Sequence, residues 1–129
     1  MKVENPVVWF EIYVDDLQRA KVFYETVFHT ELTELVNPAD DSAIKMLSFP
    51  GNMETKGRAS GALVKMEGVQ AGRNSTIVYF SSHDCRVEED RVAGAGGKVV
   101  RSKISIGEYG FISLVADTEG NMIGIHSMD

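Results

Sequence analysis

The residues best placed to do chemistry stand in one short run, Trp9-Phe10-Glu11-Ile12-Tyr13. Residues 7–14 are almost wholly apolar or aromatic, as suits a strand buried on both faces. Side chains alternate across a strand, so Val8, Phe10, Ile12 and Val14 share one side, and Trp9, Glu11 and Tyr13 the other. The first set suits a surface covered by a helix. The second puts a carboxylate between two large aromatic rings, the composition of a pocket wall. A carboxylate held there is partly stripped of water and can serve as an acid, a base or a hydrogen-bond acceptor. A plainer reading has Glu11 in a buried pair with Lys65, Lys103 or His126, only fixing the core.

Other reactive residue types stand in weaker settings. Cys85 falls at a predicted helix start, where a thiolate is favoured, although an unreactive thiol beside a cap explains it more simply. His29 and His83 lie in turn regions and read as surface histidines. The Gly-Ala-Gly-Gly stretch at 94–97 follows a helix and lacks a Lys-Ser/Thr pair, so it is no phosphate loop. No serine sits in a nucleophile elbow. Met46, Met66 and Met122 occupy strand positions, giving either an adaptable apolar lining or ordinary core.

The elements that must carry these residues follow from the spacing. Asp15-Asp16 supplies an N-cap and a favourable charge at a helix start. Leu17, Ala20, Phe23, Tyr24 and Val27 then recur at helical spacing, a stripe able to cover the apolar side of the strand. The same order returns with a strand at 77–80, a cap at Asp84 and a helix at 85–95. Asp16 and Asp84 are 84 − 16 = 68 positions apart, about half the chain, which marks a duplicated module. Three short strand-like runs follow each helix, at 31–36, 43–49 and 61–66, then at 98–104, 111–116 and 121–127. Polar turns separate them at 37–42, 106–110 and 117–121, and Gly96-Gly97 is a natural helix C-cap. The longer connection at 50–60 is placed to lie over a pocket mouth, and 68–74 is a compact joint between modules.

Composition sets limits. The chain has 129 residues, 43% of them hydrophobic, enough to bury one real core but not two. Its net charge of −6, with no basic run, argues against nucleic acid and against an anionic membrane surface. No apolar run approaches a membrane span, and the N-terminus lacks a signal-peptide core. A single cysteine makes a reducing cytoplasm the expected compartment.

The tandem unit resembles the vicinal oxygen chelate superfamily, which includes glyoxalase I, extradiol dioxygenases and bleomycin resistance proteins. VDDLQRAKVFYETVF and DTEGNMIGIHS match its "DLxRAxxFYxxVFG" and "DPxGNxIxL" patterns, with His29 where a Gly is usual. The resemblance implies an α+β fold: two βαβββ modules, 5–67 and 75–128, forming a curved, cup-shaped mixed sheet with helices outside. Metal-using relatives draw a His or Glu from each of four strands. Those positions here carry Trp9, Ile77 (or Thr76), Gly124 and, within 61–66, only Lys65 as a titratable residue, with Glu67 following. No family metal is therefore expected, and no other cofactor.

The same resemblance brings the first and last strands to one cup, where Glu11 and His126 would form an acid–base pair or two ligands of a displaced metal. The expected cup residues are Trp9, Glu11, Tyr13, Met46, Tyr79, Lys103 and His126, with Lys103 and Tyr109 at an edge that admits an anionic substrate. Three functions compete: binding of a small molecule without metal, a glyoxalase-type lyase or isomerase using Glu11, and a protein-interaction module. A buried carboxylate argues against the last. Short-stranded curved sheets leave edges that one small chain covers poorly, so a homodimer is expected.

Overall fold

The computed structural model describes residues 5, 7–35, 43–52, 59–72, 74 and 76–129. The turn expected at 37–42 and the middle of the 50–60 connection, 53–58, lie outside the described residues. The elements are β1 (Trp9–Tyr13), α1 (Leu17–Phe28), β2 (Thr33–Leu35), β3 (Ile44–Ser48) and β4 (Ser60–Met66). The second module repeats them as β5 (Tyr79–Ser81), α2 (Cys85–Val92), β6 (Lys98–Ser105), β7 (Phe111–Ala116) and β8 (Met122–Ser127). A 3₁₀ turn at Gly107–Tyr109 joins β6 to β7. The fold is α+β, with eight strands and two helices in βαβββ order twice over.

The curved sheet is divided in two. One sheet has the order β1-β4-β3-β2 and the other β5-β8-β7-β6; β1 is parallel to β4, and β5 to β8. β1 and β5 are thus edge strands, and they meet through side chains: Phe10 and Phe80 pack edge to face at 6.2 Å between ring centroids.

Each helix begins as its cap dictates. Asp16 is extended (φ −127°, ψ 105°) and accepts from Arg19 N–H at 3.0 Å; Asp84 does the same for Arg86 N–H at 3.0 Å. The expected stripe of α1 is buried at Ala20, Phe23, Tyr24 and Val27, each worth about 1–3 kcal/mol of removed apolar surface. It packs on Ile12 and Val14 of the first strand segment and on Leu63, Val115, Ile123 and Ile125. α2 ends at Val92, three residues short of the expected 95. Gly97 N–H turns back to the Val92 carbonyl (2.9 Å), and Gly96 takes φ +93°, which glycine adopts freely. α1 closes differently: His29 sits in the left-handed region (φ 49°, ψ 49°) without that freedom.

The expectation that residues 7–14 form a strand buried on both faces does not hold. Val7 and Val8 precede β1 and are exposed; Ile12 and Val14 are buried; Trp9 is 43% exposed and Glu11 is exposed. β1 is an edge strand with only one face under a helix.

The modules are clasped by the turn between β7 and β8. Buried Glu119 accepts from the Asp15 and Asp16 N–H groups (3.0 and 2.8 Å) and from the Arg19 guanidinium (2.7 and 2.8 Å). Burial alone would raise its pKa. The Arg19, Asp16 and Thr118 hydrogen bonds outweigh it and hold the carboxyl at about 2. Asp117 accepts from the Tyr24 hydroxyl at 2.7 Å, and Asn121 donates to the Tyr13 carbonyl at 2.9 Å. Asn121 also receives Gly72 N–H from the joint at 2.7 Å. A turn expected only to reverse the chain therefore fastens module two to the start of α1.

Candidate functional site

The face of β1 away from α1 carries Trp9, Glu11 and Tyr13, as the alternation requires. Strand pairing sets their neighbours: Glu11 lies beside Ala62 and then Ser48, and Tyr13 beside Val64 and then Met46. The Glu11 carboxylate is held at both oxygens by its own strand. Trp9 Nε1–H donates to Oε2 at 3.2 Å, and the Tyr13 hydroxyl donates to Oε1 at 2.8 Å. That bond first, then burial and the Glu11 charge, raise the Tyr13 pKa above the ordinary phenol value, so Tyr13 stays a donor at neutral pH. Glu11 itself is exposed rather than desolvated, on a strand at the edge of its sheet.

Glu11 makes none of the core ion pairs weighed from the sequence. Lys65 pairs across the sheet with Lys45 on the opposite face. Lys103 is tied to the cap of α2: Nζ lies 2.8 Å from Asp84 Oδ1 and 4.6 Å over the Phe111 ring, while its backbone N–H donates to buried Glu89 at 2.6 Å. The Lys103 hydrogen bond, ahead of Arg86 N–H, lowers the Asp84 pKa. An irregular register between Arg101 and Ile104 turns this stretch of β6 towards the helix, so Lys103 is not at the edge of the Glu11 face.

His126 is also placed apart. Its Nε2 lies 2.7 Å from the Tyr109 carbonyl oxygen, which only accepts, so the ring donates from that nitrogen. It stands in the row Ser81–His126–Ile112, one strand in from the edge of the second sheet. The structure does not assemble a Glu11–His126 pair. Tyr79 stands over Gly124, where an added Cβ would meet its ring at 2.3 Å. The exposed His29 and His83 and the buried Cys85 match the surface and inert-thiol readings.

Two cavities open along the seam between β1 and β5. The first, of about 240 Å³, is lined by Glu11, Ile12, Tyr13, Val69, Gln70, Gly72, Asn74, Thr76, Val78, Asn121, Met122 and Ile123. The joint at 68–74 was expected only to connect the modules, yet Val69, Gln70, Gly72 and Asn74 from it line one wall of this cavity. The second, of about 580 Å³, takes Phe10, Phe28, Phe49, Tyr79, Phe80, Ser81 and Glu88 among its walls. Trp9, Met46 and His126 line neither.

The positions that the family resemblance gives to metal ligands carry other residue types. The first-strand position is Trp9, with its indole turned to Glu11. The β8 position is Gly124, roofed by Tyr79. The β4 side chains on the Glu11 face include Ala62 and Val64, buried and without donor atoms. Among the described residues no three His, Cys, Asp or Glu side chains converge.

Residues 7–125 match the family model for the Glyoxalase/Bleomycin resistance protein/Dioxygenase superfamily. Among solved structures, glyoxalase I from Zea mays is similar with a TM-score of 0.74 at 20% identity. The match covers 95% of this chain and 46% of that one, so the chain spans just under half of the maize protein. TnmS3, an antibiotic binding protein from Streptomyces sp. CB03234, is similar with a TM-score of 0.66 at 22% identity, over 98% of both chains. A glyoxalase/bleomycin resistance protein from Albidiferax ferrireducens T118 gives 0.64 at 14% identity, over 94% of this chain and 97% of that one. A comparison with curated proteins found no match. No helix among the described residues is long and apolar enough to cross a membrane.

Proposed function

We propose that this chain, which belongs to the Glyoxalase/Bleomycin resistance protein/Dioxygenase superfamily, binds a small molecule beside Glu11 without the family's metal centre. The observation that carries the reading is the Glu11 carboxylate, fixed by Trp9 and Tyr13 and standing in the wall of a 240 Å³ cavity. A side chain fixed before binding loses little freedom when a ligand arrives, which favours affinity. The cavity mixes apolar walls (Val69, Val78, Met122, Ile123) with a few polar groups, the usual make-up of a small-molecule site. Likeness in fold to an antibiotic binding protein over nearly the whole chain fits this reading.

A lyase or isomerase would need a proton partner for Glu11. His126 is committed to the Tyr109 carbonyl, so the acid–base pair behind that alternative is unmade. Tyr79, in the wall of the second cavity, and Met46, across from Val64, are proposed to add to the binding surface, and a second copy would cover it in a cytoplasmic homodimer. Exposed Trp9, Ile77, Tyr79 and Ile104 support that pairing.

The test combines three measurements on the purified protein. Elemental analysis should find no stoichiometric divalent ion; about one zinc, nickel or manganese per chain, lost on changing Glu11 or His126, overturns the metal-free reading. Amide shift mapping of a fragment library should place hits at residues 11–13, 76–78 and 121–123; hits confined elsewhere overturn the site. Sedimentation should give twice the 14.2 kDa chain mass, and a mass of one chain removes the dimer.

A further inference from the structure

The geometry points to a protonated amine carried on an apolar body as the ligand class of the Glu11 cavity; this rests on the binding-site reading above. Among the described lining residues Glu11 is the one carboxylate, Tyr13 is the only other ionisable group, and no Lys or Arg is present. Four described cations are paired elsewhere: Arg19 with Glu119, Lys21 with Glu25, Arg86 with Glu89 and Lys103 with Asp84. Glu11 forms no ion pair, and its two hydrogen bonds come from neutral donors, Trp9 and Tyr13. Among the described residues no cation meets the carboxylate, and a carboxylate with two bonds made retains acceptor capacity for more.

Trp9 and Tyr13 flank Glu11 on the same face of β1, so apolar ring surface stands next to the carboxylate for the body that carries the cation. An anion meets only repulsion, from Glu11 and from a chain of net charge −6. An N–H-bearing cation can donate directly to Oε1 or Oε2 in a charge-assisted bond. The apolar body then has Val69, Val78 and Met122 to pack on, and a cavity of about 240 Å³ accommodates roughly one ring with a short arm.

Three matched probes test this: benzylamine, benzyl alcohol and benzoate, titrated at equal ionic strength into ¹⁵N-labelled protein. Benzylamine should shift amides at 11–13 and 121–123 and bind about tenfold or more tighter than benzyl alcohol, with benzoate weakest. Glu11→Gln, which keeps shape and can accept from Trp9 at its oxygen while donating its amide to the Tyr13 hydroxyl, should reduce that preference to within about twofold, the amide spectrum otherwise showing an intact fold. Benzyl alcohol or benzoate binding at these amides as well as benzylamine overturns the cation class and leaves the site standing. Benzylamine preference surviving in Glu11→Gln also overturns the class, since the charge would then come from elsewhere. If none of the three moves these amides, the cation class and the binding-site reading fall together.

Discussion

Replacing Glu119 with Gln tests whether an ionised carboxylate holds the two modules together. The folded-state value of about 2 lies below the ordinary 4.5, so the charged form is favoured by folding. A depressed acid stabilises above its unfolded value and loses that contribution as pH falls through the folded one. The shift of 4.5 − 2 = 2.5 units corresponds to about 3 kcal/mol, present in full above roughly pH 5. By pH 3 linkage leaves about 1.4 kcal/mol, and near pH 2 little remains. Urea denaturation of the wild type and Glu119→Gln at pH 7, 5, 4 and 3 measures the difference directly. Asp117 works in the opposite sense. Burial raises its pKa despite the Tyr24 and backbone hydrogen bonds, so its contribution is present at low pH and lost as pH rises through the folded value. It is present in both proteins and largely cancels in their difference. A gap between the two proteins that stays constant from pH 7 to pH 3 would show that shape, not charge, is what Glu119 supplies.

His29→Gly should stabilise the fold by about 0.5–1 kcal/mol, since a left-handed residue without a Cβ avoids the clash at the end of α1; equal or lower stability by thermal melting refutes this. Gly97→Ala and Gly124→Ala should separate sharply. The first meets the Ala116 carbonyl and Phe23 at 2.5 Å in packed structure and should cost about 1–3 kcal/mol or more. The second meets only the ring of half-exposed Tyr79, which can swing aside, so its cost should be smaller and should vanish in a Tyr79→Ala background; denaturant midpoints of the four proteins decide it.

Much of this protein is written in local pattern. The 68-residue repeat, the capping aspartates, the stripe Ala20-Phe23-Tyr24-Val27 and the sidedness of Trp9, Glu11 and Tyr13 all come from spacings of a few residues. Such spacings act through bonds and faces within one element, so the chain declares them by itself. That the positions aligned by the resemblance carry Trp9, Ile77 and Gly124 is legible for the same reason, as a matter of residue identity. Partner choice is different. Glu119 meets Arg19 across 100 positions, Lys103 turns to Asp84, His126 to the Tyr109 carbonyl, and Val69, Gln70, Gly72 and Asn74 become a cavity wall. Each of these side chains had several chemically acceptable partners in sequence. Lys103 had a cup edge or a helix cap, and Glu119 had solvent or a guanidinium. Only the packing of module two against α1, and the irregular register of β6, brings one partner to 2.7–2.8 Å and leaves the others out of reach. Glu11 is the reverse case: among the described residues no cation pairs with it, which leaves its carboxylate for something else to meet.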